Sequence, residues 1–240
     1  SLFTAFVSFA SLVVAFRTSN ALNRYTEASR YMHRLSAHWF DVAGTLIAFC
    51  RPATATEEQV EMFQQVLVRL LSVLNGLCLE NLQNGNEESS SGGFRFQLLG
   101  TQDLDARTQK SIARSNNKVE CVFQMLQCLI VDAQASGVLC VAPPLLTRSY
   151  QQLGEGMVTY SEAKKLAFVP LPFAYTAVSY VILVCAVFYL PLKMAIIAKG
   201  AFSSFILSFV AAFLLWLMNG VSEALDNPFK KDARSLDTSS

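Results

Sequence analysis

The stretch 13-VVAFRTSNALNRYTEASRYM-32 decides how this chain is read. An uncharged apolar run of membrane quality stops at Phe16, and a helix rich in polar and charged residues continues straight on from Arg17. Such a helix leaves lipid without breaking only if its polar half has somewhere wet or packed to go. The totals agree with a divided environment. The 240 residues are 52% hydrophobic and only 15% charged, against about 25% charged in soluble domains. This is the composition of a membrane protein that carries a substantial soluble part. A net charge of +1 gives no electrostatic footprint for nucleic acid.

Working outward, three apolar segments are candidate spans. Leu2 to Phe16 is uncharged but has only 15 residues, whereas a span needs roughly 20. It reads as the visible end of a longer helix in a chain whose true N-terminus lies further back. Ala174 to Leu192 and Ala201 to Val221 are both of spanning length, joined by 193-KMAIIAKG-200. Residues 222–240 form a tail.

Residues 17–165 read as a helical, amphipathic body. Asn20 to Phe49 carries Leu22, Tyr25, Met32, Leu35, Trp39 and Val42 at helical spacing. Thr56 and Gln59 in 56-TEEQ-59 predict a capping box. Val60, Phe63, Val66, Leu67, Leu70, Leu71 and Leu74 then make an apolar stripe. The composition of 84-NGNEESSSGG-93 is that of a flexible loop. Further helices are expected over Ala106–Ala135 and Leu145–Lys165, on either side of the breaker 142-APP-144. With three passes, 17 of the 19 Lys and Arg and all 18 Asp and Glu fall on one side of the membrane. The positive-inside rule makes that side the cytoplasm or its equivalent.

Chemistry-bearing patterns are sparse. There is no P-loop, nucleophile elbow or H-E-x-x-H. His33 and His38 are five apart, a poor spacing for one metal on a helix, and read as structural. The six cysteines contain no C-x-x-C pair, so neither a zinc site nor a disulfide framework is expected. Cys121 and Cys128, seven apart, read as packing residues. The segment 154-GEG-156 is too short for a phosphate cradle. No cofactor and no catalytic residue is expected, and the chain does not read as an enzyme.

Three stretches carry more. Ser8, Leu12 and Phe16 repeat every four residues, a stripe about 12 Å long that either lines a pore or packs against a neighbouring helix. Below it come Arg17, Arg24, Glu27 and Arg30, either framing a wet vestibule or making surface ion pairs. In 168-FVPLPFAYTA-177, Pro170 and Pro172 forbid a continuous helix and suit the start of the next one. That segment is a rigid elbow, a helix N-terminus attractive to anions, or both. In 220-GVSEALDNPF-229, Glu223 sits at the mouth of the last span and needs a partner if buried. Asn227 before Pro228 marks a turn.

In this order the three stretches resemble the bestrophin family of anion channels, especially its bacterial and plastid branches. The phrase FR-x-N-x-x-x-R-[WY]-x-E matches Phe16, Arg17, Asn20 (shifted by one), Arg24, Tyr25 and Glu27. The phrase P-x-P-x-x-[YF]-T matches Pro170, Pro172, Tyr175 and Thr176, and N-P-F matches Asn227, Pro228 and Phe229. The resemblance covers most of the chain as one domain over 1–240, with residues 51–150 adding little beyond helicity.

The resemblance implies an all-α membrane protein, a homopentamer around a central pore. It places the neck at Ser8, Leu12 and Phe16 and a second constriction by the elbow at Leu171. Chloride is the first expected anion, with bicarbonate or nitrate next, and membrane lipids are the other partners. It also implies a membrane helix ahead of the pore helix. Calcium-gated relatives follow N-P-F with a run of acids, whereas here Lys230 and Lys231 precede a lone Asp232. No calcium clasp of that type is expected, because calcium takes six to eight oxygens. Polar Ser8 departs from the apolar neck. A second reading stays open: a bestrophin-derived structural subunit of a larger, photosynthetic membrane complex, without channel activity. The plastid-like motifs lean towards a thylakoid or other organelle membrane.

Overall fold

The computed structural model describes residues 2–84, 112, 114, 115, 117–169, 171–198, 200–226 and 229; of residues 2–4 and 84 only the backbone is described. Among the described residues there are six long helices: α1 (Leu2–Phe49), α2 (Glu57–Asn84), α3 (Lys118–Ala135), α4 (Pro143–Phe168), α5 (Phe173–Ile197) and α6 (Ala201–Leu225). No strand occurs among the described residues. The apolar run and the polar run of the opening stretch are one unbroken helix of 48 residues, roughly 70 Å long.

A single spacing rule holds α1 together. Its buried positions are Ala10, Val14, Arg17, Ala21, Ala28, Leu35, Trp39, Val42 and Leu46, three, four or seven apart, which is a heptad seam. The sequence stripe located Leu35, Trp39 and Val42 correctly. Leu22 is exposed instead, because Ala21 and Ala28 occupy the seam there.

The chain forms two compact units. The first comprises residues 1–29 and 166–237, the second residues 30–165 and 238–240. In the first, α5 and α6 form a helical hairpin. Its buried residues are Ser179, Ile182, Leu183, Ala186 and Leu190 on α5 and Ser204, Ser208, Asn219 and Ser222 on α6. Small side chains at such seams let helix backbones approach closely in a membrane. The serines return their hydroxyls to their own helix: Ser179 Oγ donates to Tyr175 O, Ser208 Oγ to Phe205 O and Ser222 Oγ to Met218 O. Phe6 of α1 meets Tyr189 of α5 edge to face, with centroids 5.0 Å apart.

α5 extends past its expected end at Leu192 to Ile197 and contains Pro191. Proline forfeits one backbone hydrogen bond without ending a helix whose other bonds are kept. The connection to α6 shrinks accordingly to residues 198–200.

In the second unit the α2 stripe packs inward, with Phe63, Leu67, Leu70, Leu71 and Leu74 buried. The capping box closes as expected: Gln59 N donates to Thr56 Oγ1 (3.4 Å) and Thr56 N to Gln59 Oε1 (3.2 Å). α3 is described from Lys118; of the earlier part of the helix expected from Ala106, Ile112 and Arg114 are helical, and residues 113 and 116 lie outside the described residues. Ser115 Oγ accepts from Asn117 N at 3.2 Å, a local turn that competes with the helix; residues 106–111 lie outside the described residues. α3 buries Val119, Val122, Leu126, Ile130 and Ala133. Cys128 is therefore exposed and Cys121 half-buried, and all six cysteines are free thiols. Gly156 explains the short glycine motif. A Cβ there would lie 2.5 Å from two ring carbons of Trp39, so glycine is what lets the indole close on α4. His38 Nδ1 pairs with Gln152 Oε1 at 3.0 Å, a structural contact.

Among the described residues, four helices are long and apolar enough to cross a membrane: α1, α2, α5 and α6. The sequence reading had α2 in the amphipathic body. It differs from α5 and α6 in that 44% of its most apolar window is buried within the protein, against 22% and 11% for theirs.

A candidate pore helix and its polar junction

The first unit contains nearly every residue singled out in the sequence. On α1 the apolar stretch has two unlike faces. Ala10, Val14, Arg17 and Ala21 are buried, whereas Ser8, Leu12 and Phe16 are exposed. Leu12 is 52% and Phe16 58% accessible. The stripe thus belongs to the open face, together with Asn20 and Glu27; Tyr25 is half-buried.

Arg17 points the other way. Its side chain is 2% exposed, so it does not frame an open vestibule in this unit. It stands in the buried seam between Ala10, Val14 and Ala21, and a buried guanidinium needs partners there. Arg17 Nη1 donates to Asn219 Oδ1 at 2.6 Å. Nη2 faces Asp226 Oδ2 at 3.6 Å. The guanidinium carbon lies 5.2 Å from the centroid of the Tyr180 ring, a cation–π placement. Beside it, Thr18 Oγ1 and Ser222 Oγ share a hydrogen bond of 2.9 Å.

Arg24, two turns on, is half-buried and ties backbone to backbone. Its Nη2 donates to Leu166 O (2.9 Å) and Val169 O (3.0 Å), and its Nε to Asp226 O (3.3 Å). It makes no ion pair with Glu27; its fork is spent on carbonyls at the end of α4, at the elbow and just past α6. These are acceptors that helix C-termini leave open. Three stretches far apart in sequence thereby meet at Arg17 and Arg24.

The elbow itself is compact. Pro172 is the residue before α5, with φ −53° and ψ 130°, and its carbonyl accepts from Tyr175 N at 3.0 Å. Leu171 is half-buried. Pro170, Asn227 and Pro228 lie outside the described residues, as does the segment with Lys230, Lys231 and Asp232. Phe229 is buried. Glu223 is exposed and accepts from the Tyr180 hydroxyl at 3.0 Å. Asp226 is partly buried, and that burial raises its pKa above the usual carboxylate range. Arg17 and Arg24 pull it down and Glu223 pushes it up, without reversing the direction.

Sequence reasoning missed Asn219, Asp226 and Tyr180. Asn219 was legible in principle, as a polar residue inside an apolar span. Among the described residues no cluster of His, Cys, Asp or Glu could hold a metal ion.

Long apolar helices that bury serine, asparagine and arginine while exposing phenylalanine and leucine make this an integral membrane protein of the all-helical class. The chain belongs to the bacterial/fungal bestrophin family, described as "Bacterial/Fungal Bestrophin protein", whose profile matches residues 2–239. No curated protein matches the chain. Two crystal structures of a bacterial bestrophin homologue from Klebsiella pneumoniae are similar, at TM-scores of 0.78 and 0.79. Each is 16% identical, over 98% of this chain and 80% of that one. A variant structure described only as a membrane protein has a TM-score of 0.81 at the same identity and coverage. These likenesses establish a shared fold.

Proposed function

We propose that this protein is a passive anion channel, chloride first, formed by five copies around a central pore whose neck is Ser8, Leu12 and Phe16. The observation that carries the reading is the two-faced α1. Its seam side is packed within the unit, and its Ser8–Leu12–Phe16 side is free to meet copies of itself. Rings of Leu12 and Phe16 make a narrow, dry neck that closes by dewetting. Phe ring edges carry partial positive charge and face an anion favourably. Large, weakly hydrated anions such as nitrate then pass more easily than small, strongly hydrated ones, and bicarbonate is a further candidate. Leu171 at the elbow is the candidate second constriction. The chemistry is conduction rather than catalysis, and an organelle membrane such as the thylakoid is the proposed setting.

The test is current through planar bilayers containing the purified protein. Phe16→Ala and Leu12→Ala are expected to raise conductance and flatten selectivity among anions. Unchanged selectivity and gating in both variants overturns the neck assignment. Electron microscopy of the native particle separates this reading from that of a structural subunit: a symmetric ring of five supports the channel, and one copy within a larger assembly defeats it.

A further inference from the structure

Phe16 and Arg17 are neighbours in sequence with opposite surroundings, one on the open face of α1 and the other 2% exposed behind it. The Arg17 cation is permanent, yet its pairing is incomplete. Its Nε has no hydrogen-bond partner, and neither does the buried Oδ1 of Asp226. The carboxylate opposite it is reachable from solvent, since the Asp226 side chain is 25% exposed. The charged groups facing Asp226 are Arg17 and Arg24 from α1 and Glu223 from α6. From α5 comes Tyr180, whose ring adjoins Arg17 and whose hydroxyl is bound to Glu223.

We infer that Asp226 is a proton-operated control on the charge behind the neck. Ionised, it cancels Arg17; protonated from the adjacent solvent, it leaves the Arg17 cation uncompensated one residue from Phe16 and draws anions in. This rests on the reading of α1 as a pore helix. Burial, the largest influence on Asp226, favours the protonated form, and Glu223 adds to it against the two arginines. Acidification therefore fills the proton site above the ordinary carboxylate range. A unit charge about 10 Å away at an effective dielectric near 20 alters local anion concentration on the order of tenfold, reduced to several-fold by salt.

The experiment measures the chloride-to-sodium permeability ratio of the full chain in planar bilayers from pH 8 to pH 4.5. The wild type is expected to gain several-fold in that ratio as pH falls. Asp226→Asn, which mimics the protonated acid, is expected to hold the acid-side value at every pH. Glu223→Gln is expected to keep the dependence with its midpoint at lower pH. A flat wild-type profile, a pH dependence retained in Asp226→Asn, or one abolished by Glu223→Gln overturns the inference. Thermal unfolding across the same range gives a readout independent of current. A carboxyl whose proton affinity is raised by folding favours the folded chain as pH falls through its folded pKa and withdraws that stability as pH rises. Asp226→Asn should lose this component. A chain that conducts nothing at any pH defeats the channel reading and the control built on it, even if the unfolding signature stays; a chain that conducts with a flat profile and no such signature defeats the Asp226 inference alone.

Discussion

The two compact units differ in how much polar surface they bury. In the unit containing α5 and α6, the interior of the hairpin mixes Ser179, Ser204, Ser208, Asn219 and Ser222 with Ile182, Leu183, Ala186 and Leu190, and the exterior is Phe202, Phe205, Phe209, Phe213 and Leu217. Phe205, Phe209 and Phe213 form a ladder up the outside of α6, with ring centroids 6.3 and 6.0 Å apart. In the other unit the interior is Leu67, Leu70, Leu74, Leu126, Ile130 and Leu153, together with Trp39. Such a difference is what two solvents, water and lipid, would produce. Water expels apolar surface, so a unit bathed in water is held by what it hides. Lipid expels nothing apolar, so helices within it associate through close packing and a few polar contacts.

That contrast can be broken or sharpened by substitution. The largest effect is expected from Leu74→Ala in the second unit. Leu74 is fully buried, and its truncation should cost about 2–5 kcal/mol by transfer and cavity terms. Denaturant unfolding of detergent-solubilised protein, followed by helical circular dichroism, checks it. Next comes Asn219→Leu in the first unit, which adds apolar volume yet should destabilise by about 1.5–3 kcal/mol, because a hydrogen bond to a buried cation is lost. A gain in stability there would mean that the unit is held by apolar burial after all. The smallest effect is expected from Phe209→Ala. The ring is large but 60% exposed, so its loss should cost about 1 kcal/mol or less, mainly the stacking with Phe205 and Phe213. A cost rivalling that of Leu74→Ala would show that the ladder is covered by protein.

Much of this was legible in the sequence for stated physical reasons. The apolar spans follow from length and charge, the α2 stripe from period, and the Thr56–Gln59 cap from local chemistry. The unbroken passage through Arg17 was legible too. What remained hidden depended on partners distant in the chain. Nothing near Arg17 tells that it turns inward, since an arginine after an apolar run reads as the point of exit into water. Its burial follows from the heptad seam of α1, which is visible only once Ala10, Val14 and Ala21 are seen packed. Its partner Asn219 is 202 positions away. The end of α5 was hidden in the opposite sense: the uncharged run stops at Leu192, before Lys193, but the helix continues to Ile197. The hydrogen bond from Asn117 N to Ser115 Oγ is a side-chain contact that propensity alone does not separate from a helix.

The Arg17–Asn219 hydrogen bond also has a bearing on biogenesis. Synthesis delivers α1 well before α6, so for some 200 residues of elongation the arginine lacks Asn219 and must keep its charge near water by reaching along the helix. Only when Asn219 and Asp226 emerge can α1 rotate its guanidinium inward. A helix made early is therefore among the last to settle, and a chain stalled before α6 should present an unsatisfied cation to the machinery that surveys membrane proteins.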